Sequence, residues 1–203
     1  LKKIIHVSTS EVFGNPKYLP IDEKHNYYSQ SPYAASKASA DQLALSYFNS
    51  FNLPITIIRP FNTFGPRQSL RAVIPTLITQ YLNNSKTVKV GSLFPVRDLT
   101  YIDDTVDAFL KVIHSKKNLS GMFFNLGSGY GISVGELNSK ISKILGVKKK
   151  IIIDKKRIRP KKSEVNILIS SNKKIKKVLD WRLKYNKKNF DKALIKTINW
   201  FKD

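Results

Sequence analysis

The chain opens on a short apolar run, Ile4-Ile5-His6-Val7, which ends in Ser8-Thr9-Ser10-Glu11-Val12-Phe13-Gly14. The pattern predicts a strand over residues 3–9, followed by a polar loop from Ser10 to Ser31 that carries Gly14, Pro16, Pro20 and Asp22-Glu23. Ser31 is a suitable N-cap, and Pro32 suits the first helical position because that N–H is unpaired anyway. A helix then runs to about Phe51, with Tyr33, Ala40, Leu43, Ala44, Tyr47, Phe48 and Phe51 at three- and four-residue spacing. Asn52-Leu53-Pro54 ends it. Ile55-Thr56-Ile57-Ile58 reads as a strand buried on both faces of a parallel sheet, so strand, helix and strand form a βαβ unit. Arg59 to Arg67 then reads as a loop at the carboxyl end of that strand, where open α/β sheets bind ligands.

Beyond this point the periodicity predicts a helix over 72–81, strands over 87–90 and 97–102, and a helix from Asp103 or Asp104 to His114. Val106, Phe109, Leu110 and Ile113 are expected to face inward on that helix. A strand over 123–126 leads into Gly127-Ser128-Gly129-Tyr130-Gly131, and Ser133 caps a helix with Leu137, Ile141, Ile144 and Leu145 on its apolar face. Strands over 149–153 and 165–169 flank a basic loop, 155–164. Helices over 173–179 and 190–201 close the chain. The fold class is α/β. A composition shift near residue 60 suggests a sheet half, 1–60, and a loop-rich lobe, 61–203, that partly returns to the sheet.

Composition narrows the functional classes. A chain of 203 residues can bury a real core, and no apolar run approaches the ~20 residues of a membrane helix. The basic and then apolar start is too short for a signal peptide, and the missing initiator Met suggests numbering that begins inside a longer polypeptide. There are no cysteines, and the three histidines show no ligand spacing, so no metal site is expected. The net charge of +22 is lopsided, with 22 basic against 5 acidic residues from Lys140 onward. Such a tail raises nucleic-acid binding. Most of the excess is lysine interspersed with apolar positions, which instead suggests a solvated face and a small anionic substrate. Arg59, Arg67, Arg71, Arg97, Arg157 and Arg159 lie in loop or strand-end segments, where a planar fork can grip phosphate.

Tyr33 and Lys37, four apart, share one helical face. A phenol with a pKa near ~10 is a poor base at neutral pH, but a neighbouring ammonium favours the phenolate. The same spacing also occurs on ordinary amphipathic helices. At the strand end, Thr9 offers a hydroxyl, and Glu11 lies on the same side if the chain stays extended. Glu11 can equally be a capping carboxylate.

Together these residues resemble the extended short-chain dehydrogenase/reductases, the NAD-dependent epimerase/dehydratase family of nucleotide-sugar enzymes. Ser8–Gly14 is similar to the family's strand-end motif, and Ser31-Pro32-Tyr33-x-x-x-Lys37 to its catalytic helix. Arg59–Arg67, Arg97-Asp98-x-x-Tyr101-Ile102-x-Asp104, Asn125-Leu126-Gly127 and Leu179-Asp180-Trp181 continue the match. Within the family, Glu11 separates dehydratases and uronate decarboxylases from simple 4-epimerases. The runs 59–75 and 157–165 most resemble N-acetylhexosamine 4,6-dehydratases of legionaminic-acid-type pathways, enzymes of polysaccharide biosynthesis.

The resemblance implies the C-terminal part of a Rossmann-like doubly wound parallel sheet with a smaller mixed substrate-binding lobe. It implies a cytoplasmic enzyme, homodimeric at full length, that acts on a nucleotide-diphosphate sugar with NAD, NADP remaining open. Tyr33 would take the C4 hydroxyl proton as hydride goes to NAD⁺, with Lys37 on the nicotinamide ribose and Thr9 polarising the C4 oxygen. Glu11 would remove the C5 proton as water leaves C6, and hydride would return there. Many dehydratases have an acid at the Ser10 position, so Glu11 or a water would replace it here. Asn62, Arg67, Arg97, Asn125 and Arg159 would hold the substrate. The alternatives are a 4-epimerase, a uronate decarboxylase, or a non-catalytic sugar-nucleotide-binding remnant or split-enzyme subunit.

A dinucleotide site also needs a strand, a glycine-rich turn at a helix N-terminus and an acidic residue ~20 positions on. Gly127-x-Gly129-x-Gly131 misplaces the third glycine and lacks the acid. The chain therefore reads as starting at about the fifth strand of the family fold, and alone it is expected neither to bind NAD tightly nor to turn over.

Overall fold

The structure is a computed structural model that describes residues 1–158, 160 and 162–202. The chain begins with β1 (Ile4–Val7), a 3₁₀ turn (Ser10–Phe13), α1 (Pro32–Phe51), β2 (Ile55–Pro60) and β3 (Asn62–Phe64). Next come α2 (Val73–Leu82), β4 (Thr87–Val90), β5 (Val96–Tyr101) and α3 (Ile102–His114). Then follow β6 (Phe123–Leu126), β7 (Gly131–Ser133), α4 (Val134–Leu145) and β8 (Lys150–Ile153). The last elements are β9 (Ile167–Leu168), α5 (Lys173–Leu179) and α6 (Phe190–Lys202).

β1, β2 and β6 form a parallel sheet with β2 in the centre, Ile4 opposite Ile55 and Ile57 opposite Phe123. Four residues of β2, Ile55–Ile58, are buried, as expected for a strand covered on both faces. β5 pairs with β3 and β9 in parallel and with β7 antiparallel, while β4 and β8 make a separate parallel pair. The largest core packs α2, α4 and α6 against β5, through Leu77, Tyr81, Leu137, Ile141, Phe190 and Leu194. A second lies beneath β6 and α3 around Phe124 and Trp181. A third, around Val12, Phe13, Ile21 and Leu168, sits under the strand-end turn. Ile21 pairs with Ser170, so the 15–30 loop straps across to the β9 region instead of lying loose.

Two predicted helix faces differ in the structure. On α1 only Ala34 and Asp41 are buried, whereas Leu43, Tyr47 and Phe51 are exposed. On α3 the buried residues are Asp104, Thr105, Ala108 and Val112, and Val106, Leu110 and Ile113 face out. Neither Asp103 nor Asp104 caps α3: the helix starts at Ile102, and the Asp104 carboxylate accepts the Lys184 and Tyr185 N–H groups at 2.8 and 2.9 Å. Those bonds turn this side of the helix inward. Among the described residues β1 pairs with β2 alone, so its outer edge is open.

Gly14 closes the strand-end turn at φ 57°, and a Cβ there would lie 2.1 Å from the Tyr28 carbonyl oxygen. Gly14→Ala is expected to cost about 1–3 kcal/mol, seen as a lower midpoint in urea unfolding.

Candidate active site

β1 leaves the sheet at Thr9, whose backbone is still extended (φ −155°, ψ 155°). The chain then coils rather than continuing straight. Thr9 Oγ1 accepts the Glu11 N–H at 3.3 Å and caps the 3₁₀ turn. This overturns the expectation that Thr9 and Glu11 share a side through extended backbone. The hydroxyl uses a lone pair for the cap and keeps its proton to donate. Val12 and Phe13 are fully buried and anchor the turn from below, Ser8 and Ser10 are buried too, and Glu11 remains half-exposed.

Glu11 opens onto a cavity of about 810 Å³ between β5, the start of α2 and the end of β4. Its polar wall includes Asn62, Gln68, Arg71, Arg97 and Arg157. Lys89 adds a fourth cation, against Glu11 and Glu164 as the only acids on the wall among the described residues. Arg97 Nη2 contacts Glu164 Oε1 at 3.2 Å, which holds the guanidinium in place. A concave, net-positive wall with forked donors suits a phosphate-bearing ligand.

Ser31 caps α1 through the Ala34 N–H at 3.1 Å, and the first turn presents Tyr33, 54% exposed. Lys37 Nζ donates to the Val7 carbonyl at 3.0 Å, which fixes the ammonium at the open end of β1. Of the residues singled out in the sequence, Glu11, Asn62, Arg71, Arg97 and Arg157 line the cavity, while Thr9, Ser10, Tyr33, Lys37, Arg67 and Asn125 do not. Arg67 is exposed at φ 63°. Asn125 is wholly buried: its N–H donates to Glu23 Oε1 at 2.8 Å and its Nδ2 to the Ile21 carbonyl at 3.1 Å, tying the 15–30 strap to β6. Arg159 lies outside the described residues.

Arg59 is not a loop arginine. It sits within β2, 2% exposed, and its Nε donates to Asp41 Oδ2 at 3.1 Å. Asp41, fully buried on α1, also accepts the Tyr27 hydroxyl at 2.9 Å and contacts His6 Nε2 at 2.9 Å. The guanidinium lies over the Phe123 ring at 4.3 Å and bonds the Tyr27 oxygen. Burial, above all, pushes the Tyr27 phenol up to about 12, so it remains a donor. This network clamps α1 to β1 and β2, and through α1 it sets where Tyr33 and Lys37 stand. The readable signal was Asp41 itself, an acid four residues after Lys37 on a helix otherwise poor in acids. Gln68, Lys89 and Glu164 on the cavity wall had no such signal, because distant segments bring them there.

The glycine loop after β6 is held by Asp98, fully buried on β5. Its carboxylate accepts the N–H groups of Ser128, Gly129 and Ser170 at 2.7, 2.8 and 3.0 Å, and the Ser128 hydroxyl at 2.6 Å. Burial pushes this carboxyl up against the pull of the four donors. The loop amides are thus committed to a protein carboxylate and are not disposed to cradle pyrophosphate. Among the described residues no group of three or more potential metal ligands occurs, and no helix is long and apolar enough to cross a membrane.

Comparisons with known proteins agree on one lineage. The dTDP-D-glucose 4,6-dehydratase of Dictyostelium discoideum is 38% identical over 155 residues, 71% of this chain but 35% of its own length. The human dTDP-D-glucose 4,6-dehydratase is 34% identical, again over 71% of this chain and 41% of its own. Among solved structures, the UDP-glucuronic acid 4-epimerase of Bacillus cereus, in complex with UDP-glucuronic acid and NAD, superposes with a TM-score of 0.90 at 28% identity. It covers all of this chain and 62% of its own. The dTDP-glucose 4,6-dehydratase of Bacillus anthracis in complex with NAD gives 0.88 at 30% identity, over 98% of this chain and 61% of its own. The chain therefore spans less than two thirds of the length of each of these relatives. The family model for GDP-mannose 4,6-dehydratase matches residues 1–193, and the chain belongs to that family of nucleotide-sugar dehydratases and epimerases.

Proposed function

We propose that this chain carries the catalytic strand end and the substrate-binding lobe of an NAD-dependent nucleotide-sugar 4,6-dehydratase, acting on a nucleotide-diphosphate hexosamine. The observation that carries the reading is the Glu11 carboxylate on the wall of a basic cavity, next to a strand end whose Thr9 hydroxyl keeps a donor proton. Asn62 and Arg97 on that wall would hold the diphosphate, with Arg67 and Arg159 as further proposed contacts to the substrate. Asn125 acts from beneath, by holding the strap.

Tyr33 and Lys37, at the open end of β1, fit the nicotinamide-ribose end of NAD. The pyrophosphate end finds no such fit in the glycine loop, whose amides Asp98 occupies. When bound, NAD supplies the acceptor for hydrogen from C4 and its return to C6. On the protein side, Tyr33, one helical turn before Lys37, takes the C4 hydroxyl proton. Thr9 donates to the C4 oxygen and stabilises charge there. Oxidation at C4 acidifies the C5 hydrogen, Glu11 removes it as a proton, hydroxide departs from C6 as water with that proton, directly or through a bound water, and C5 regains a proton from solvent as Tyr33 releases the one it took. C4 ends oxidised and C6 reduced, so the overall loss is one water. Ser10 is too weak an acid to protonate the leaving group.

The cofactor half would dock on the open edge of β1. α1 (Leu43, Tyr47, Phe51) and α3 (Val106, Leu110, Ile113) also carry exposed apolar residues. Mass analysis of the product tests the reaction. In a protein that joins this chain to its cofactor half, a nucleotide-diphosphate hexosamine should lose the mass of one water. An unchanged mass with inverted C4 would establish the second reading, a 4-epimerase, favoured by the close superposition on the Bacillus cereus enzyme. Loss of carbon dioxide from a uronate would establish a decarboxylase.

A further inference from the structure

A second concavity, of about 570 Å³, lies on a different part of the surface and shares no lining residue with the Glu11 cavity. Three segments build it: the Ser128–Tyr130 loop, α5 through Lys176, and the stretch before α6 through Arg182 and Lys187. No carboxylate lines it among the described residues. Residues 173–188 hold eight basic side chains against one acidic one, Asp180. Asp180 meets only the Nε of Arg182, at 3.2 Å, and both side chains are about four-fifths exposed, so the pair neutralises little. The other two guanidinium nitrogens make no hydrogen bond among the described residues.

The walls are anchored from below. Asp98 holds Ser128 and Gly129, Asn172 Nδ2 donates to the Gly127 and Ser128 carbonyls, and Asp104 holds the Lys184 and Tyr185 amides. Trp181, fully buried, donates its Nε1–H to the Asp104 carbonyl at 3.1 Å. The backbones on either side of Arg182 and Lys187 are therefore fixed, and Lys187 Nζ stands 5.0 Å above the Tyr130 ring. Three cations held around a concave, acid-free surface repel one another and concentrate anions.

We propose that this hollow is a second anion site, separate from the Glu11 cavity, which binds a compact ligand carrying adjacent phosphate groups. Its concavity suits a small polyanion better than the convex backbone of a nucleic-acid duplex, and the assignment does not depend on the dehydratase reading.

Calorimetric titration of the 203-residue chain with inorganic pyrophosphate, at about 0.15 M ionic strength, tests it. A saturable binding is expected, weakened at least about tenfold in Lys176→Gln/Arg182→Gln/Lys187→Gln. It should be unchanged in the surface control Lys116→Gln/Lys143→Gln/Lys148→Gln. Circular dichroism confirms that each variant folds. No saturable binding overturns the proposal, as does equal weakening in the control, which means diffuse charge. Weakening in Arg71→Gln but not in the triple variant puts the ligand in the Glu11 cavity. Tighter binding of a short DNA duplex than of pyrophosphate assigns the patch to nucleic acid.

Discussion

Glu11→Gln, in the protein that joins this chain to its cofactor half, is expected to lower the dehydration rate by about 10²–10⁴-fold while leaving oxidation at C4 in place. The amide keeps the size of the carboxylate and its place on the cavity wall but cannot take a proton. The variant should therefore bind the nucleotide sugar with little change and accumulate the reduced-nicotinamide absorbance that normal turnover discharges. Solvent deuterium, which the unmodified enzyme should place at C5 of the 6-deoxy product, should no longer enter. Dehydration at the normal rate in this variant would overturn the role of Glu11 as the base at C5.

The largest effect on stability is expected at the far side of the same strand end. Asp41→Ala removes the only acidic partner, among the described residues, of a guanidinium that is 2% exposed and strips the Tyr27 hydroxyl of its acceptor. Breaking a buried pair from one side typically costs about 3–5 kcal/mol, since the remaining charge stays desolvated. In a chain of this length that lowers the thermal midpoint on the order of 10 °C. The combined variant Asp41→Leu/Arg59→Met, which removes both charges and refills the volume, should recover most of the loss. A drop in the double variant equal to the sum of the single ones would show that the two residues are not energetically coupled.

These two positions also mark how far the sequence could be read. The helix of Tyr33 and Lys37, the buried strand at 55–58 and the N-cap at Ser133 were all legible, because their signals are local: periodicity, an N-cap hydroxyl, a proline at a helix start. Burial faces were not legible in the same way. α3 turns Asp104, Thr105 and Ala108 inward because backbone amides eighty residues away need an acceptor, a demand that no local window contains. Arg59 looked like a phosphate-gripping arginine for the same reason. Its partner is on another element, and only the packing of α1 on the sheet reveals that the fork is occupied.

Residue types alone establish the chemistry on offer: a hydroxyl and a carboxylate at a strand end, a phenol and an ammonium on one helical turn, arginines in loops, and a lysine-rich second half. Residue type and short-range spacing decide such things, and they survive without knowledge of the fold. Which groups face one cavity, which arginine is spent internally and which loop amides remain for a ligand were decided by the tertiary structure. Each of these depends on contacts between segments distant in the chain, and a buried polar group takes whatever partner the packing brings to it. Glu11 is the residue where the two levels meet, named by its type and placed by a turn that the Thr9 cap and the buried Val12 and Phe13 impose.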